Sequence, residues 1–400
     1  MVKSKSKKQA PSSGLFGNNL RTILTNILDL IKDGNPTKLA RQEWLTEYGK
    51  SKEEGLTTLI NFLIEASGCP NKINAKQLAS GDAPEVMKKI ITNDWLQVYS
   101  SLPFTNTAQN GESDYPVVSK KSEFKDFKEN YIEFWKKLIS KSTDKVLYDG
   151  IFIEALSNWM ANFSSSSVRS IRHTATLTAL SMLTSLIEIA NRVQKNLGTS
   201  QRQLTQEEKK GTSEAKIKQH SDAVDKYQEK ITLLEEMMDE LFLGVFFRRY
   251  RDFVSEIRVE CVSELGIWIE KYPQHFLEDD YLKYFGWTMN DKSPEVRLTS
   301  LESLERLLKN TSSLNSMSNF LERFKDRIVE MTIDKDINVS VTAIRLSILL
   351  ANQDYLDQND IESISNLVSN ESAIIRSEAA KFVVNVVLDK EDSSSSKKSN

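Results

Sequence analysis

The chain has 400 residues, 39% hydrophobic and 27% charged, with 53 basic side chains against 56 acidic ones and a formal net charge of −3. That length and apolar content suffice for a sizeable core, and the near-neutral total leaves nucleic-acid binding to the way the basic side chains cluster. Only 14 glycines and 8 prolines occur, too few turn residues for a chain of many short strands, so helix is the expected class. Cys69 and Cys261 are far apart and each sits in an apolar helical pattern, which supports neither a disulfide framework nor a metal site and points to a reducing compartment. The basic N-terminus has no apolar segment of signal-peptide length behind it and no run of about 18 apolar residues occurs, so a soluble intracellular protein without a membrane span is expected.

Residues 1–17 read as a basic disordered tail whose Lys3, Lys5, Lys7 and Lys8 are a nuclear address, a nucleic-acid-binding arm or simply solvated. Residues 18–165 read as an N-terminal helical region. There "LRTILTNILDLI" places Leu20, Ile23, Leu24, Ile27, Leu28 and Ile31 on one amphipathic stripe, which Gly34, Asn35 and Pro36 end. "TTLINFLIEASG" repeats the plan and closes at Gly68, and residues 102–118 read as a loop. Residues 166–247 form a long helix pair, one helix from about Val168 to Leu197 and one from about Thr212 to Phe247, joined by the polar, mobile "GTSQRQLTQEEKKG". The early half of the second helix has little apolar surface, so the pair is expected to be antiparallel and to project. Residues 248–390 hold the repeats, and 391–400 form a second disordered tail.

The repeat appears in "RDFVSEIRVECV", "NDKSPEVRLTSL", "IDKDINVSVTAI" and "SNESAIIRSEAA", each with an Asp or Asn five residues before a β-branched residue that in three of four copies precedes Arg. The aligned positions Asp252, Asp291, Asp334 and Asn370 are 39, 43 and 36 residues apart, the period of HEAT and armadillo units. In such a unit the Asp sits in the turn between two helices and can cap the second, while the Arg can bridge to the neighbouring repeat. The fold expected is therefore all-α, a curved HEAT-repeat solenoid with a projecting antiparallel long-helix pair.

His173, His220 and His275 lie in separate helical contexts without zinc-ligand spacing, and neither a phosphate-binding glycine loop, a serine elbow nor a Cys–His pair is present. No enzyme, metal or cofactor is expected. Binding remains, with two constellations. In "SKKSEFKDFKENYIEFWKKL", Lys120, Lys121, Lys125, Lys128, Lys136 and Lys137 alternate with aromatics, and "SSSSVRSIRHTATL" begins a helix with Arg169 and Arg172 near its start. Cations there oppose the helix dipole by about 0.3–1 kcal/mol each, a cost that a bound phosphate would reverse; the alternative is a solvated lysine face with arginines paired to acidic neighbours. The second constellation is "DDYLKYFGWTMNDKSPEVR" together with "FFRRYRD". With Leu282, Phe285 and Met289 facing inward, Tyr281, Lys283, Tyr284 and Trp287 cannot all share that face, and exposed Trp and Tyr beside charges have the composition of an interaction hot spot. Packing between repeats is the alternative.

The run "FFRRYRDFVSEIRVECVSELGIWIEKYPQHFLEDDYLKYFGWTMNDKSPEVR" resembles the stromalin conservative domain of the stromal-antigen (stromalin) family of cohesin subunits. "SSVRSIRHTATLTAL", "EEMMDELFLGVF", "LINFLIEASGC" and "RFKDRIVEMTIDKDINVSVTAIRL" extend the likeness over roughly residues 18–388. The resemblance implies a non-catalytic HEAT-repeat regulatory subunit of a nuclear, chromosome-associated ring complex in sister chromatid cohesion. Such a subunit binds double-stranded DNA without sequence preference, docks on the kleisin subunit and recruits regulators through short aromatic-containing motifs. Family members are much longer, so this chain is expected to be an N-terminal portion with the main kleisin-docking repeats outside it. By motif, the partner-binding residues are Tyr250, Arg251, Asp279, Lys283, Tyr284 and Trp287, with Tyr281 and Phe285 left to packing. The DNA-contact residues are Lys120, Lys121, Lys125, Lys136, Lys137, Arg169 and Arg172. A protein-only HEAT scaffold or transport carrier is the competing class and predicts no DNA affinity.

Overall fold

A computed structural model describes residues 38–92, 114–211, 213–310 and 314–388; both expected tails, the stripe at 20–31 and most of the loop at 102–118 lie outside them. Every regular element among these residues is helical. The chain divides into two compact units, Met1–Ser185 and Leu186–Asn400.

The first unit contains α1 (Lys38–Lys50), α2 (Lys52–Ala66), α3 (Ala83–Ile90), α4 (Phe127–Ser140), α5 (Phe152–Phe163) and the start of α6 (Arg169–Lys210). Ser51 caps α2 by accepting the Glu54 N–H at 3.3 Å, and Gly68, at φ +78°, turns the chain out of it in the left-handed conformation that glycine adopts without penalty. The apolar stripe of α2 supplies Leu59, Ile60 and Leu63 to the core, and Phe62 meets Tyr131, Phe134 and Trp135 of α4 at centroid distances of 5.4, 5.1 and 6.1 Å. The aromatics of "FKENYIEFWKKL" are thus core, as their helical spacing predicts. The start of α6 is buried all round rather than on one stripe. It tolerates this because Thr176, Thr178 and Ser181 return their hydroxyls to the carbonyls of Arg172, Thr174 and Leu177 at 2.7–3.0 Å, leaving an apolar outline.

The helix pair is present but its boundary is corrected. α6 does not stop at Leu197: it runs 42 residues to Lys210, so "GTSQRQLTQEEKKG" is helix and not a mobile connection. Gln, Arg, Glu and Lys are strong helix formers, and the cost of one Gly198, about 1 kcal/mol, does not break a helix already propagating. Gly211, at φ +62°, ends it, and α7 (Glu214–Leu241) begins three residues later. None of the described residues from Gln201 to Lys230 is buried, whereas Ile231, Leu234, Met238 and Leu241 are. The expected split of α7 into a charged outer half and an apolar inner half therefore holds.

The second unit continues with α8 (Ser255–Lys271), α9 (Asp279–Thr288), α10 (Pro294–Lys309), α11 (Ser318–Glu330), α12 (Ile337–Ala351), α13 (Gln358–Ser365) and α14 (Ala373–Phe382). The second helices of successive repeats, α8, α10, α12 and α14, pack side by side in that order, and α9 packs on α11. At each inter-helix turn the repeat's Asp or Asn accepts the N–H two residues on: Asp252 from Val254, Asp291 from Ser293, Asp334 from Asp336 and Asn370 from Ser372, all at 2.8–2.9 Å. The first two repeat arginines then tie successive repeats together. Arg258 donates to its own turn at Asp252 O (2.6 Å) and as a two-pronged fork to the Asp291 carboxylate of the next repeat (2.7 and 2.6 Å). Arg297 does the same to Asp291 O (2.8 Å) and Asp334 (2.9 and 2.7 Å). Where the third copy has Ser340 instead of Arg, the following position is the uncharged Asn370, which avoids leaving a carboxylate without its cation.

Burial alone would raise the Asp334 carboxyl, but the Arg297 guanidinium and the Asp336 N–H overcome it and hold the group below its ordinary value. A carboxyl depressed in the folded state contributes stability above its unfolded value, about 3.9, and loses it as pH falls through the folded one. The urea midpoint is expected to be flat from neutrality to about pH 4 as far as this group is concerned and to fall below it. Asp334→Asn should remove that share of the acid sensitivity, and an unchanged acid limb in the variant would refute the assignment.

Candidate functional site

The aromatic surface is built by two segments of the second unit. After α7 the chain makes one wide π-helical turn, Phe242–Phe246, then a short helix, Phe247–Arg249, and stops where Arg249 pairs with Asp252 at 2.6 Å. This fixes Tyr250 and Arg251 at the end of the segment. On α9, Leu282, Phe285 and Met289 are fully buried as their spacing predicts. α9 is also pressed onto α11 so closely that a Cβ on Gly286 would lie 2.2 Å from Phe324. With that side committed to packing, Trp287 emerges from the surface, 45% exposed.

Tyr250, Tyr284 and Trp287 meet as expected from sequence. Tyr250 stacks beside Trp287 (centroids 6.1 Å apart, planes at 30°), and Tyr284 stands edge-on to both at 4.8 and 5.3 Å. One role changes. Tyr284 is only 3% exposed, wedged among Phe242, Phe246, Tyr250 and Trp287, so it is the floor of the surface and not a free contact. Burial, and then the neighbouring Tyr250, pushes its hydroxyl up to about 12, which keeps the floor uncharged. Lys283 holds its ammonium 5.8 Å from the Tyr284 ring and 5.9 Å from the Trp287 ring while pairing with Asp280 at 2.7 Å. Asp279 is exposed, with the Asn319 amide donating to it at 3.3 Å. Tyr281 and Phe285 pack, Phe285 fully and Tyr281 partly, with the Tyr281 hydroxyl donating to Asp239 at 3.3 Å.

Sequence reasoning missed two members of this surface. Leu243 is 61% and Phe247 40% exposed, and the Arg251 guanidinium lies 5.4 Å over the Phe247 ring. Leu243 and Phe247 are each the exposed neighbour of a buried phenylalanine, Phe242 and Phe246, and that phase was the available signal.

The basic cluster, in the first unit, is only partly accessible. Lys120 and Lys125 are exposed around a 3-10 turn, Ser122–Phe124, and Lys121 is exposed but pairs with Asp114 at 2.9 Å. Lys136 and Lys137 are half-buried on α4, Lys137 beside Glu133, and Arg169 is half-buried at the start of α6. Arg172 corrects the expectation. It is 2% exposed and donates to the carbonyls of Ser166 (2.9 Å) and Ser167 (3.2 Å). Ser166 in turn accepts the Val168 N–H at 3.1 Å. That is the turn geometry of the repeats in the second unit, six residues from turn to Arg, with Ser in place of Asp. Arg172 is therefore a structural arginine and no phosphate contact. His173 is likewise internal, with the Tyr115 hydroxyl 2.5 Å from its Nδ1. Among the described residues no group of His, Cys, Asp and Glu could hold a metal ion, and no helix is long and apolar enough to cross a membrane.

A helical-repeat protein with an exposed aromatic surface is the class these features define. The family models that match are the STAG domain, over residues 113–226, and the stromalin conservative domain, over residues 251–325. The chain is 34% identical over 346 residues to the cohesin subunit SA-3 of Rattus norvegicus, covering 85% of this chain and 26% of that protein. It is 32% identical over 359 residues to sister-chromatid cohesion protein 3 of Arabidopsis thaliana, covering 90% and 31%, and 29% identical to the cohesin subunit psc3 of Schizosaccharomyces pombe, covering 95% and 38%. The fold matches the cohesin subunit Scc3 from Z. rouxii with a TM-score of 0.77 at 22% identity, over 94% of this chain and 44% of that one. The chain belongs to the stromalin family of cohesin subunits. It spans between about a quarter and two fifths of the length of these curated relatives.

Proposed function

We propose that this protein is a non-catalytic regulatory subunit of cohesin that acts at chromosomes in the nucleus, in sister chromatid cohesion, and that its aromatic surface captures short aromatic-containing segments of cohesin regulators. The observation that carries the reading is Trp287: a large aromatic left nearly half exposed, braced by Tyr250 and Tyr284, with Lys283 at its edge. A partner ring laid against it is desolvated on an apolar floor, while Lys283, Arg251 and Asp279 are placed to pair with charges and backbone around it. Kleisin, through docking repeats outside this stretch, is the partner that family membership supports.

The second activity proposed is sequence-independent binding of double-stranded DNA through Lys120, Lys121, Lys125, Lys136, Lys137 and Arg169, without Arg172. Its support is the exposure of Lys120, Lys121 and Lys125 on one short segment, Ser119–Lys125, next to the lysines of α4. Such contacts give a linear fall of log affinity with log salt, with a slope of about −0.9 per phosphate neutralised. Reversing the charge of Lys120, Lys121 and Lys125 together is expected to weaken binding of a random-sequence duplex and to flatten that slope by about two to three phosphate equivalents, with an unchanged melting temperature. Undiminished binding by that variant would move the site elsewhere. No measurable DNA affinity of the parent at low salt would favour the protein-only scaffold.

A further inference from the structure

Among the described residues from Tyr250 to Phe382, six large apolar side chains are exposed: Phe253, Trp287, Ile333, Ile337, Val368 and Ile374. Each lies within four residues of a repeat's turn residue, Asp252, Asp291, Asp334 or Asn370. All six therefore fall on the edge of the stack that carries the inter-helix turns, whereas apolar side chains exposed without a role are scattered singly. Rings occupy this edge in the first two repeats. Aliphatic side chains occupy it in the last two, with Ile333 71% and Ile374 59% exposed. Charge changes along the same edge. The first turns of α8 and α10 carry an acid, Glu256 and Glu295, which suits the positive end of the helix dipole, and those of α12 and α14 carry none. Asp336, the cap of α12, is committed to the N–H groups of Asn338 and Val339, and Glu330 to Arg327. Lys292 and Lys335, one residue past their turn aspartates, are exposed and have no ion-pair partner among the described residues. Against them stands Glu371 in the fourth turn, also exposed.

We infer that the turns of the third and fourth repeats form a docking surface for an extended, acidic segment of a partner protein in which an aliphatic residue recurs at every third position. The scaffold sets that spacing. Helices packed side by side, as α12 and α14 are, lie about 8–10 Å apart, and a polyproline-II chain advances about 9 Å in each three-residue turn. One aliphatic residue of the partner then meets Ile333 and Ile337 while the next meets Val368 and Ile374. A β-strand returns side chains to one face about every 7 Å and falls out of register. Charge complementarity selects the residues between: acidic side chains face Lys292, Lys335 and the N-terminal ends of α12 and α14, which have no acid of their own in the first turn. This surface is separate from the one around Trp287, both in its residues and in the aliphatic side chains it takes.

The test is fluorescence polarisation of the full chain with a fluorescein-labelled peptide of four Leu-Pro-Glu triplets, in which the proline after each leucine favours the polyproline-II form. Saturable binding is expected at low salt. It should fall at least about tenfold when the same residues are reordered to put leucine at every second position, or when Lys replaces Glu. The same loss is expected with protein carrying Ile333→Ser and Ile374→Ser together, which should melt like the parent because both side chains are exposed. Lys335→Glu should weaken binding, and Trp287→Ala should leave it unchanged, so that this surface and the aromatic one can fail independently. No binding of the Leu-Pro-Glu peptide, equal binding of the reordered or lysine peptide, or undiminished binding by the double variant would overturn the proposal. So would sedimentation showing that the parent self-associates and the double variant does not, since the edge would then belong to a second copy.

Discussion

Arg258→Ala is expected to destabilise the protein by about 3–5 kcal/mol, the cost of taking away the guanidinium that pairs with a largely buried carboxylate. Arg258 is 4% exposed, its partner Asp291 sits in the next repeat, and its third hydrogen bond closes its own turn at Asp252 O, so one truncation opens two repeats at once. The double variant Arg258→Met with Asp291→Asn should recover most of the loss: Asn still accepts the Ser293 N–H, and the vacated space is filled by an apolar chain. This protein already contains that solution, Ser340 followed by Asn370. Urea unfolding of the three proteins decides the matter. A loss below about 1 kcal/mol for Arg258→Ala, the range of exposed ion pairs, or a double variant as unstable as the single one, would show that the rung is not what joins these repeats.

Trp287→Ala is expected to reduce affinity for an aromatic-containing peptide of a cohesin regulator at least about thirtyfold, the effect of losing a hot-spot aromatic worth about 2 kcal/mol or more. The same change should lower stability by only about 1 kcal/mol, the scale of the ring contacts with Tyr250 and Tyr284. Trp268 is the internal control. It is fully buried against Phe242, Phe246 and Phe276, so Trp268→Ala should cost about 3–5 kcal/mol of folding free energy. Tyr284→Phe should leave peptide affinity near that of the parent, because Tyr284 contributes a buried ring and not an exposed hydroxyl. Fluorescence polarisation with the labelled peptide, together with thermal melts, separates these roles. A Trp287→Ala protein that melts as low as Trp268→Ala while binding peptide normally would make Trp287 a packing residue.

Helix class, the turn aspartates and the bridging arginines were legible in the sequence because each is a local pattern repeated at nearly constant spacing. What escaped were features decided by context. Arg172 has the same turn-to-Arg spacing as Arg258, but its turn residue is Ser166 and the long helix pair separates it from the other copies, so the period that exposes the others is broken there. Read as a cation near a helix start, it suggested a phosphate; its burial shows a structural tie. The apolar stripe of α6 ends at Leu197 while its helix does not, because the side chains from Gln201 to Lys210 are mostly helix formers facing solvent, so the stripe alone marks the wrong end. At the aromatic surface, helical geometry showed that Tyr281, Tyr284 and Trp287 could not all be buried together, but which one emerged was fixed by Gly286 against Phe324 and by the rings of the π-turn, neither of which has a local signature.

The uncharged rung at Ser340 and Asn370 makes the joints of the second unit unlike one another in their response to conditions. Between α12 and α14 no fork from the repeat-arginine position spans the repeats; an apolar cluster of Val341, Ile344, Ile375, Phe382 and Val386 joins them, with a longer Arg345–Glu378 ion pair at 3.7 Å beside it. Acid attacks the joint between α10 and α12 by protonating Asp334, whose carboxyl Arg297 holds below its ordinary value, whereas the apolar cluster itself carries no group to protonate. Cooling acts on the apolar joint, since apolar burial stabilises less as temperature drops. The unit is thus a chain of couplings with different weak seasons: cold loosens it between α12 and α14, and acid loosens it between α10 and α12.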